Sequence, residues 1–205
     1  ARVIASAGVK VLLADKISAT QMVSLGVVKK KAAGGVVITA SHNPGAYSGL
    51  KVKSAFGGSV PPSVTQAIEA RLANPPSVPA ATPGSLETFN PWQGYCAGLR
   101  PKVDIAAIRQ AILTGQLSVF VDVMYGAAAG GLAQLLEVPV HELHSHRDPL
   151  FGGGAPEPMP RYLTELCQQV GSYARHSADE LVVGLAFDGD SDRIAATDGQ
   201  GNFLS

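Results

Sequence analysis

Neither sign of charge predominates in this chain. Lysine and arginine together number 16, aspartate and glutamate also number 16, and the formal net charge at pH 7 is +0. Because the positive and negative charges cancel, the chain has no net electrostatic field that would attract nucleic acids or anionic membranes over a distance. We therefore expect no nucleic-acid partner and no membrane partner, and any site for a polyanion has to be local.

Long hydrophobic runs and cysteines are also scarce. The longest apolar runs, such as Leu181 to Phe187, are much shorter than the roughly 20 residues that cross a bilayer. The two cysteines, Cys96 and Cys167, are not spaced as metal ligands and are too few for a disulfide framework. We expect two buried thiols in a reducing compartment, which favours a cytoplasmic protein.

The chain lacks the features of a natural start. Its opening residues, ARVIASAG, contain no methionine, no basic flank and no long apolar segment, so they do not resemble a secretory signal. They are typical of a helix that ends at Gly8. We expect the chain to be part of a longer polypeptide.

Valine, isoleucine and leucine are abundant and clustered. With 205 residues, of which 46% are hydrophobic, the chain is long enough for one large core or two small ones. Unbroken apolar runs are typical of strands that are covered on both faces, as in parallel sheets. Such runs occupy residues 9–15, 35–40, 117–123 and 181–187.

Segments typical of helices alternate with these runs. Residues 18–32 end in a basic turn, residues 61–73 open with proline, and residues 160–174 repeat apolar positions at helical spacing. Alternating strands and helices predict an α/β protein.

Prolines recur between Asn74 and Pro91. Because proline fixes φ and removes a backbone donor, we expect no regular structure there and interpret the segment as an inter-domain connection. The predicted domains are residues 1–95 and residues 96–205.

The first polar loop follows the run that ends at Ala40. Ser41 lies where α/β proteins place reactive groups, at the end of a strand, and the short strand LKVK follows the loop. Ser41 and His42 suggest a nucleophile and its base, but Thr39 and Asn43 occupy the glycine positions of the G-x-S-x-G elbow. Hydrolase chemistry is therefore disfavoured, and a polar turn that only reverses the chain is the plainer alternative.

The second polar loop is FDGDSDR, residues 187–193. Three carboxylates at alternate positions repel one another, and a divalent cation relieves that repulsion. Oxygen ligands favour a hard ion such as Mg²⁺, so Asp188, Asp190 and Asp192 are candidate Mg²⁺ ligands. An EF-hand is excluded because Arg193 and Gly199 stand where its loop needs glycine and glutamate.

Two other interpretations of the acidic loop stay open. A haloacid-dehalogenase-like phosphatase also carries aspartates after a strand, although its nucleophile normally comes early in the chain. The loop could also be an acidic surface turn. If Ser41 carries a phosphate, however, the two loops form one site, in which Ser41 is the fourth ligand of the metal.

The two loops together resemble those of the α-D-phosphohexomutases, the phosphoglucomutases and phosphomannomutases. TASHNPGAYSGLKVK resembles the active-site serine loop of that family and DGDSDR resembles its metal loop, with supporting segments at residues 121–132 and 148–158. The resemblance implies most of domain 1 and domain 2 of a four-domain enzyme. Both are α/β/α domains with mixed, mostly parallel sheets.

The resemblance also implies roles for the loop residues. Ser41 matches the phosphorylated serine, Lys51 the general acid/base, and Arg193 the arginine that contacts the phosphoserine. We add His42 as a residue that orients or protonates the transferred group near neutral pH. The plainer alternatives are a solvated strand-end cation for Lys51, a salt bridge within the acidic loop for Arg193 and a hydrogen-bonded loop histidine for His42.

The implied reaction moves a phosphoryl group between O1 and O6 of a hexose phosphate through phosphoserine and a bisphosphosugar. The expected partners are hexose phosphates, hexose bisphosphates and the C-terminal domains that the family adds. Because those domains bind the sugar and its second phosphate, we expect negligible mutase activity from this chain alone. A noncatalytic phosphosugar-binding module is the other alternative, and the TASHNP form favours a sugar other than glucosamine.

Overall fold

The chain folds into two compact units. The computed structural model describes residues 1–75 and 82–204. The first unit contains Ala1–Ser18, Met22–Val37 and Lys51–Tyr95. The second unit contains Ala19–Gln21, Ile38–Leu50 and Cys96–Ser205. The predicted domains, residues 1–95 and residues 96–205, are each continuous in sequence, whereas the compact units are built from several segments. The predicted domain boundaries therefore stay a prediction.

The first unit holds most of four short strands and four helices. The strands are β1 (Val11–Ala14), β2 (Gly34–Ile38), β3 (Leu50–Ser54) and β4 (Leu86–Phe89), and the helices are α1 (Arg2–Ser6), α2 (Thr20–Lys29), α3 (Pro62–Ala73) and α4 (Pro91–Leu99). Strand β1 pairs in parallel with β4, and β2 pairs with β3. As predicted, α1 ends just before Gly8, whose φ of 84° stops the helix.

Strand β4 corrects one prediction. It lies inside the segment from Asn74 to Pro91, for which we expected no regular structure. The prolines of that segment all lie outside β4, so its backbone groups are available to pair with β1, from Leu86 opposite Val11 to Phe89 opposite Ala14. Residues 76–81 of the predicted connection lie outside the described residues.

The second unit is built around a five-stranded mixed sheet. Its strands are β5 (Leu117–Asp122), β6 (His141–Leu143), β7 (Leu181–Phe187), β8 (Ile194–Thr197) and β9 (Phe203–Leu204), and its helices are α5 (Ile105–Leu113), α6 (Gly131–Leu136) and α7 (Thr164–Ala174). The strand order is β6-β5-β7-β8-β9. Strands β6, β5 and β7 are parallel, whereas β8 and β9 are antiparallel to their neighbours.

Helix α7 covers the centre of this sheet. Leu166 and Val170, four residues apart on one face of the helix, are both 0% exposed. They share a core with Phe120 of β5 and with Val182 and Ala186 of β7. Each fully buried aliphatic side chain of this kind contributes about 1.5–3 kcal/mol. This core holds β5 and β7 in place beneath the loops that follow them.

The parallel pairing of β5 and β7 determines where the acidic loop begins. Asp122, the last residue of β5, stands opposite Ala186 near the end of β7. The loop from Asp188 to Arg193 therefore leaves the sheet at the edge where parallel strands end, which is the usual place for ligand sites. In the described part of the chain no helix combines the length and the apolar character that a membrane span needs.

Candidate active site

The serine loop places Ser41 in a strained backbone conformation. The loop follows β2, and Gly49 O accepts a hydrogen bond of 3.0 Å from Thr39 N. Ser41 N donates to Thr39 Oγ1 at 2.8 Å, and Ser41 has a φ of 56°. This left-handed conformation costs a residue other than glycine about 1–2 kcal/mol, and such strain is concentrated at functional sites.

The acidic loop closes on its own first carboxylate. Asp188 Oδ1 accepts hydrogen bonds from Asp192 N at 3.0 Å and from Arg193 N at 3.1 Å. Ser191, with a φ of 63°, makes the tight turn between them. Asp188 and Asp190 are 0% and 4% exposed, whereas Asp192 is exposed. The loop therefore holds two buried carboxylates and one at the surface.

The serine hydroxyl meets both buried carboxylates. Ser41 Oγ lies 3.2 Å from Asp188 Oδ2 and 3.2 Å from Asp190 Oδ1. All three residues belong to the second compact unit. The hydroxyl has one proton, so Ser41 Oγ can donate a hydrogen bond to only one of the two carboxylates at a time. The two loops singled out from the sequence thus come together around one oxygen atom.

These residues fit a divalent cation. Asp188, Asp190 and Asp192 each offer a carboxylate oxygen, and the three oxygens lie within 4.8 Å of one another. Burial raises the pKa of Asp188 above its ordinary value, and repulsion from Asp190 and Asp192 raises it further. A cation that offsets this negative charge would stabilise the loop. Carboxylate and hydroxyl oxygens are the donors that Mg²⁺ prefers.

Two threonine hydroxyls hold the central aspartate. Thr20 Oγ1 and Thr39 Oγ1 each donate to Asp190 Oδ2 at 3.0 Å. Sequence reasoning did not single out either threonine. Thr20 lies at the start of a predicted helix, where a threonine is ordinarily explained as a cap, and only the tertiary contact indicates another role. Thr39 lay inside a recognised motif but carried no assigned role.

His42 and Arg193 face a glutamate that sequence reasoning also missed. Glu157 Oε1 lies 4.0 Å from His42 Nε2 and 3.9 Å from Arg193 Nη1. Its second oxygen lies 3.3 Å from Nη2 of the surface residue Arg161. Within the described residues, His42 Nδ1 is buried without a hydrogen-bond partner. Glu157 therefore lies near both His42 and Arg193, the two other loop residues that we predicted to act on a phosphate.

Lys51 lies in β3 and is half-buried. It belongs to the first compact unit, whereas the serine and the three aspartates belong to the second. Its predicted role as the general acid/base stays a prediction. The neighbouring Lys53 is more deeply buried, at 8% exposure, and its Nζ lies 3.5 Å from Ser59 Oγ.

Two protein-family models match the two parts of the chain. Residues 1–78 match the family model for the phosphoglucomutase/phosphomannomutase alpha/beta/alpha domain I. Residues 93–201 match the model for the phosphoglucomutase/phosphomannomutase alpha/beta/alpha domain II. The predicted fold class, two α/β/α domains with mixed sheets, is therefore confirmed.

Individual relatives agree with this assignment. A protein of Methanothermobacter thermautotrophicus described as a probable phosphoglucosamine mutase is 34% identical over 192 residues, which cover 91% of this chain and 39% of the relative. The cytoplasmic phosphoglucomutase of Pisum sativum is 29% identical over 209 residues, covering 86% of this chain and 35% of the relative. The chain therefore spans less than half the length of these relatives.

A solved structure supports the same conclusion. The crystal structure of a Thermus thermophilus protein that is provisionally described as a phosphomannomutase matches 98% of this chain and 44% of its own, with a TM-score of 0.81 and 33% identity. Family models, relatives and fold agree with the paired loops around Ser41. This chain belongs to the phosphoglucomutase/phosphomannomutase family.

Proposed function

We propose that this chain carries the phosphoserine and the metal site of a phosphohexomutase, an isomerase that transfers a phosphoryl group between O1 and O6 of a hexose phosphate. The observation that carries the proposal is the distance of 3.2 Å from Ser41 Oγ to an oxygen of each buried aspartate. Family membership supports the reaction class. The plainer alternatives, a polar turn at Ser41 and an acidic surface turn, do not explain why the two loops meet.

The proposed transfer exchanges one P–O bond for another. The bond between phosphorus and Ser41 Oγ breaks as a sugar hydroxyl oxygen attacks phosphorus. The sugar hydroxyl proton passes to a base, and Ser41 Oγ takes up a proton to become a hydroxyl again. The bisphosphosugar then returns its other phosphoryl group to Ser41. When Mg²⁺ is bound it offsets the charge that grows on the phosphoryl oxygens.

The protein side chains have separate tasks in this scheme. Asp188, Asp190 and Asp192 would hold Mg²⁺ together with an oxygen on Ser41. The planar guanidinium of Arg193 suits phosphate oxygens, and its side chain is 50% exposed, which leaves it accessible to a ligand. We assign proton transfer to Lys51 on the resemblance alone.

The proposed substrates are hexose phosphates and hexose bisphosphates, and the proposed location is the cytoplasm. The relatives described above include a probable phosphoglucosamine mutase and a cytoplasmic phosphoglucomutase. They do not support the preference against glucosamine that we drew from TASHNP. The C-terminal domains of the longer relatives are the remaining expected partners.

Transfer to Ser41 tests the proposal directly. We would incubate the purified chain with glucose 1,6-bisphosphate and MgCl₂, follow intact mass, and map the modified residue. A gain of one phosphoryl group on Ser41, abolished by S41A and by EDTA, supports the proposal. Sustained release of phosphate with phosphorylation of an aspartate would favour the phosphatase, and sugar binding without any transfer would favour the noncatalytic module.

Turnover is a separate question. Without the parts of the family that orient the sugar and bind its second phosphate, most of the rate enhancement is expected to disappear. We therefore expect phosphoryl transfer to Ser41 but negligible conversion of a hexose 1-phosphate to the 6-phosphate. Full turnover by the 205-residue chain would contradict this expectation.

A further inference from the structure

Each buried carboxylate of the acidic loop has one oxygen occupied by hydrogen-bond donors. Asp188 Oδ1 accepts from the backbone N–H groups of Asp192 and Arg193. Asp190 Oδ2 accepts from the hydroxyls of Thr20 and Thr39. An ionised carboxylate can only accept, so both threonine hydroxyls act as donors here.

The other oxygen of each of these two carboxylates faces Ser41 Oγ. Asp188 Oδ2 and Asp190 Oδ1 are the two atoms that lie 3.2 Å from Ser41 Oγ. Each buried aspartate therefore presents a single oxygen to the site, while its second oxygen is engaged elsewhere. This division is the same for both residues, although the donors are backbone groups in one case and side chains in the other.

We propose that Thr20 and Thr39 are positioning residues that restrict Asp190 to one-oxygen coordination and thereby favour Mg²⁺ over Ca²⁺ at this site. The inference rests on the metal site of the proposed function. Mg²⁺ requires near-octahedral geometry with short bonds to single oxygens, whereas Ca²⁺ accepts more ligands and readily takes both oxygens of a carboxylate. Donors that occupy Asp190 Oδ2 remove this second oxygen from the coordination of the metal.

Thr20 is the more informative of the two threonines. Its residue is 3% exposed, and its backbone N also donates to the backbone oxygen of Asp190 at 3.1 Å. Gln21 Nε2 adds a bond of 2.8 Å to the backbone oxygen of Ser191. Three hydrogen bonds thus join residues 20–21 to the acidic loop across 170 positions of sequence. This segment lies outside both recognised motifs.

Thr39 links the metal loop to the serine itself. Its hydroxyl accepts from Ser41 N at 2.8 Å and donates to Asp190 Oδ2 at 3.0 Å. The chain of two hydrogen bonds fixes the serine backbone relative to the aspartate that faces its side chain. Hydrogen bonds in such a chain polarise and strengthen one another.

The experiment measures the binding of MgCl₂ and of CaCl₂, separately, by calorimetry on the metal-free 205-residue chain. We expect T20V to weaken Mg²⁺ binding about tenfold, the usual effect of losing a group that orients a metal ligand. Ca²⁺ binding should fall less, so that the ratio of the two affinities changes. T20S keeps the hydroxyl and should restore the wild-type ratio.

Two further variants serve as controls. Thr65 Oγ1 donates to Pro62 O at 2.8 Å within the first turn of α3, so T65V should leave both affinities unchanged. D190N should abolish Mg²⁺ binding. If circular dichroism shows that T20V does not fold, T39V takes its place, because it removes the second donor to the same oxygen.

The outcomes separate the inference from the proposed function. If wild-type protein binds Mg²⁺, D190N does not, and both threonine variants keep the wild-type Mg²⁺/Ca²⁺ ratio, the inference is wrong and the metal site stands. If wild-type protein binds no Mg²⁺, or binds Ca²⁺ in preference, the inference is also wrong. Absence of Mg²⁺ binding would remove the metal from the proposed function as well.

Discussion

A Cβ atom at Gly189 would lie 2.5 Å from the backbone oxygen of Ser41. On its other side the same atom would lie 3.0 Å from Pro156 Cγ. The absence of a side chain at Gly189 therefore allows the serine loop and the acidic loop to approach at backbone distance. This close packing explains how a hydroxyl and two buried carboxylates share so small a space.

We predict that G189A destabilises the chain by about 1–3 kcal/mol, the usual cost of overpacking, because backbone has to move on at least one side. The variant should also slow phosphorylation of Ser41, since the serine loop is displaced from the two aspartates. The first effect is measured by urea unfolding and the second by intact mass after treatment with glucose 1,6-bisphosphate.

G94A is the matched control for this substitution. Gly94 lies in α4, and a Cβ there meets nothing within 4 Å. Alanine in a helix is better than glycine by about 0.5–1 kcal/mol, so G94A should be neutral or slightly stabilising. Equal losses of stability in the two variants would contradict the steric argument.

The raised pKa of Asp188 predicts how stability depends on pH in the absence of metal. Burial makes this carboxyl bind its proton more tightly in the folded than in the unfolded chain. Its contribution to stability is therefore fully present below the unfolded pKa and is lost as pH rises through the raised folded pKa.

D188N should remove this dependence. In EDTA at neutral pH we expect D188N to be more stable than wild type, with the difference shrinking as pH falls below the folded pKa. Asparagine keeps an oxygen for the N–H groups of Asp192 and Arg193, so the turn itself is retained. Urea unfolding of both proteins across the acid range measures the difference, and a difference that does not change with pH would contradict the prediction.

Added Mg²⁺ should reverse this instability. A ligand that binds only the folded state at 100 times its Kd stabilises that state by about 2.7 kcal/mol. D192N should reduce the effect without disturbing the fold, because Asp192 is exposed. D179N, which removes an exposed carboxylate elsewhere in the second unit, should respond to Mg²⁺ as wild type does. Equal responses of D192N and D179N would exclude Asp192 from the site.

Glu157 should influence the transfer through His42 and Arg193. E157Q removes the negative charge that lies about equally far from both side chains. We expect Ser41 phosphorylation to slow about tenfold, equivalent to about 1.4 kcal/mol in the barrier, because both groups lose the partner that orients them.

R161Q distinguishes this effect from a general disturbance of the loop. Arg161 contacts the second oxygen of Glu157 at the surface, and its side chain is 63% exposed. A surface ion pair of this kind contributes little, so the rate in R161Q should stay close to the wild-type rate. If R161Q and E157Q slow the reaction equally, Glu157 acts through the loop rather than through His42 and Arg193.

The sequence predicted the regular elements best where local pattern decides them. The structure confirms the predicted strands β5 and β7 and the predicted helix α7. A strand buried on both faces requires a continuous apolar run, and a helix buried on one face requires apolar residues at helical spacing, and both patterns are visible in the sequence. Strand β4 was missed because its pairing with β1 joins residues 75 positions apart, and the surrounding prolines concealed it.

The sequence by itself was enough to name four site residues, Ser41, Asp188, Asp190 and Asp192. Each follows a strand and belongs to a motif whose residue types and spacing indicate its chemistry. Thr20 and Glu157 could not be named in this way, because a threonine at a helix start and a glutamate between prolines have ordinary local explanations. Only the tertiary structure decided that they contact the site. Their hydrogen bonds and ion pairs join distant segments, and no local pattern of residues encodes which distant atoms a folded backbone brings within 3–4 Å.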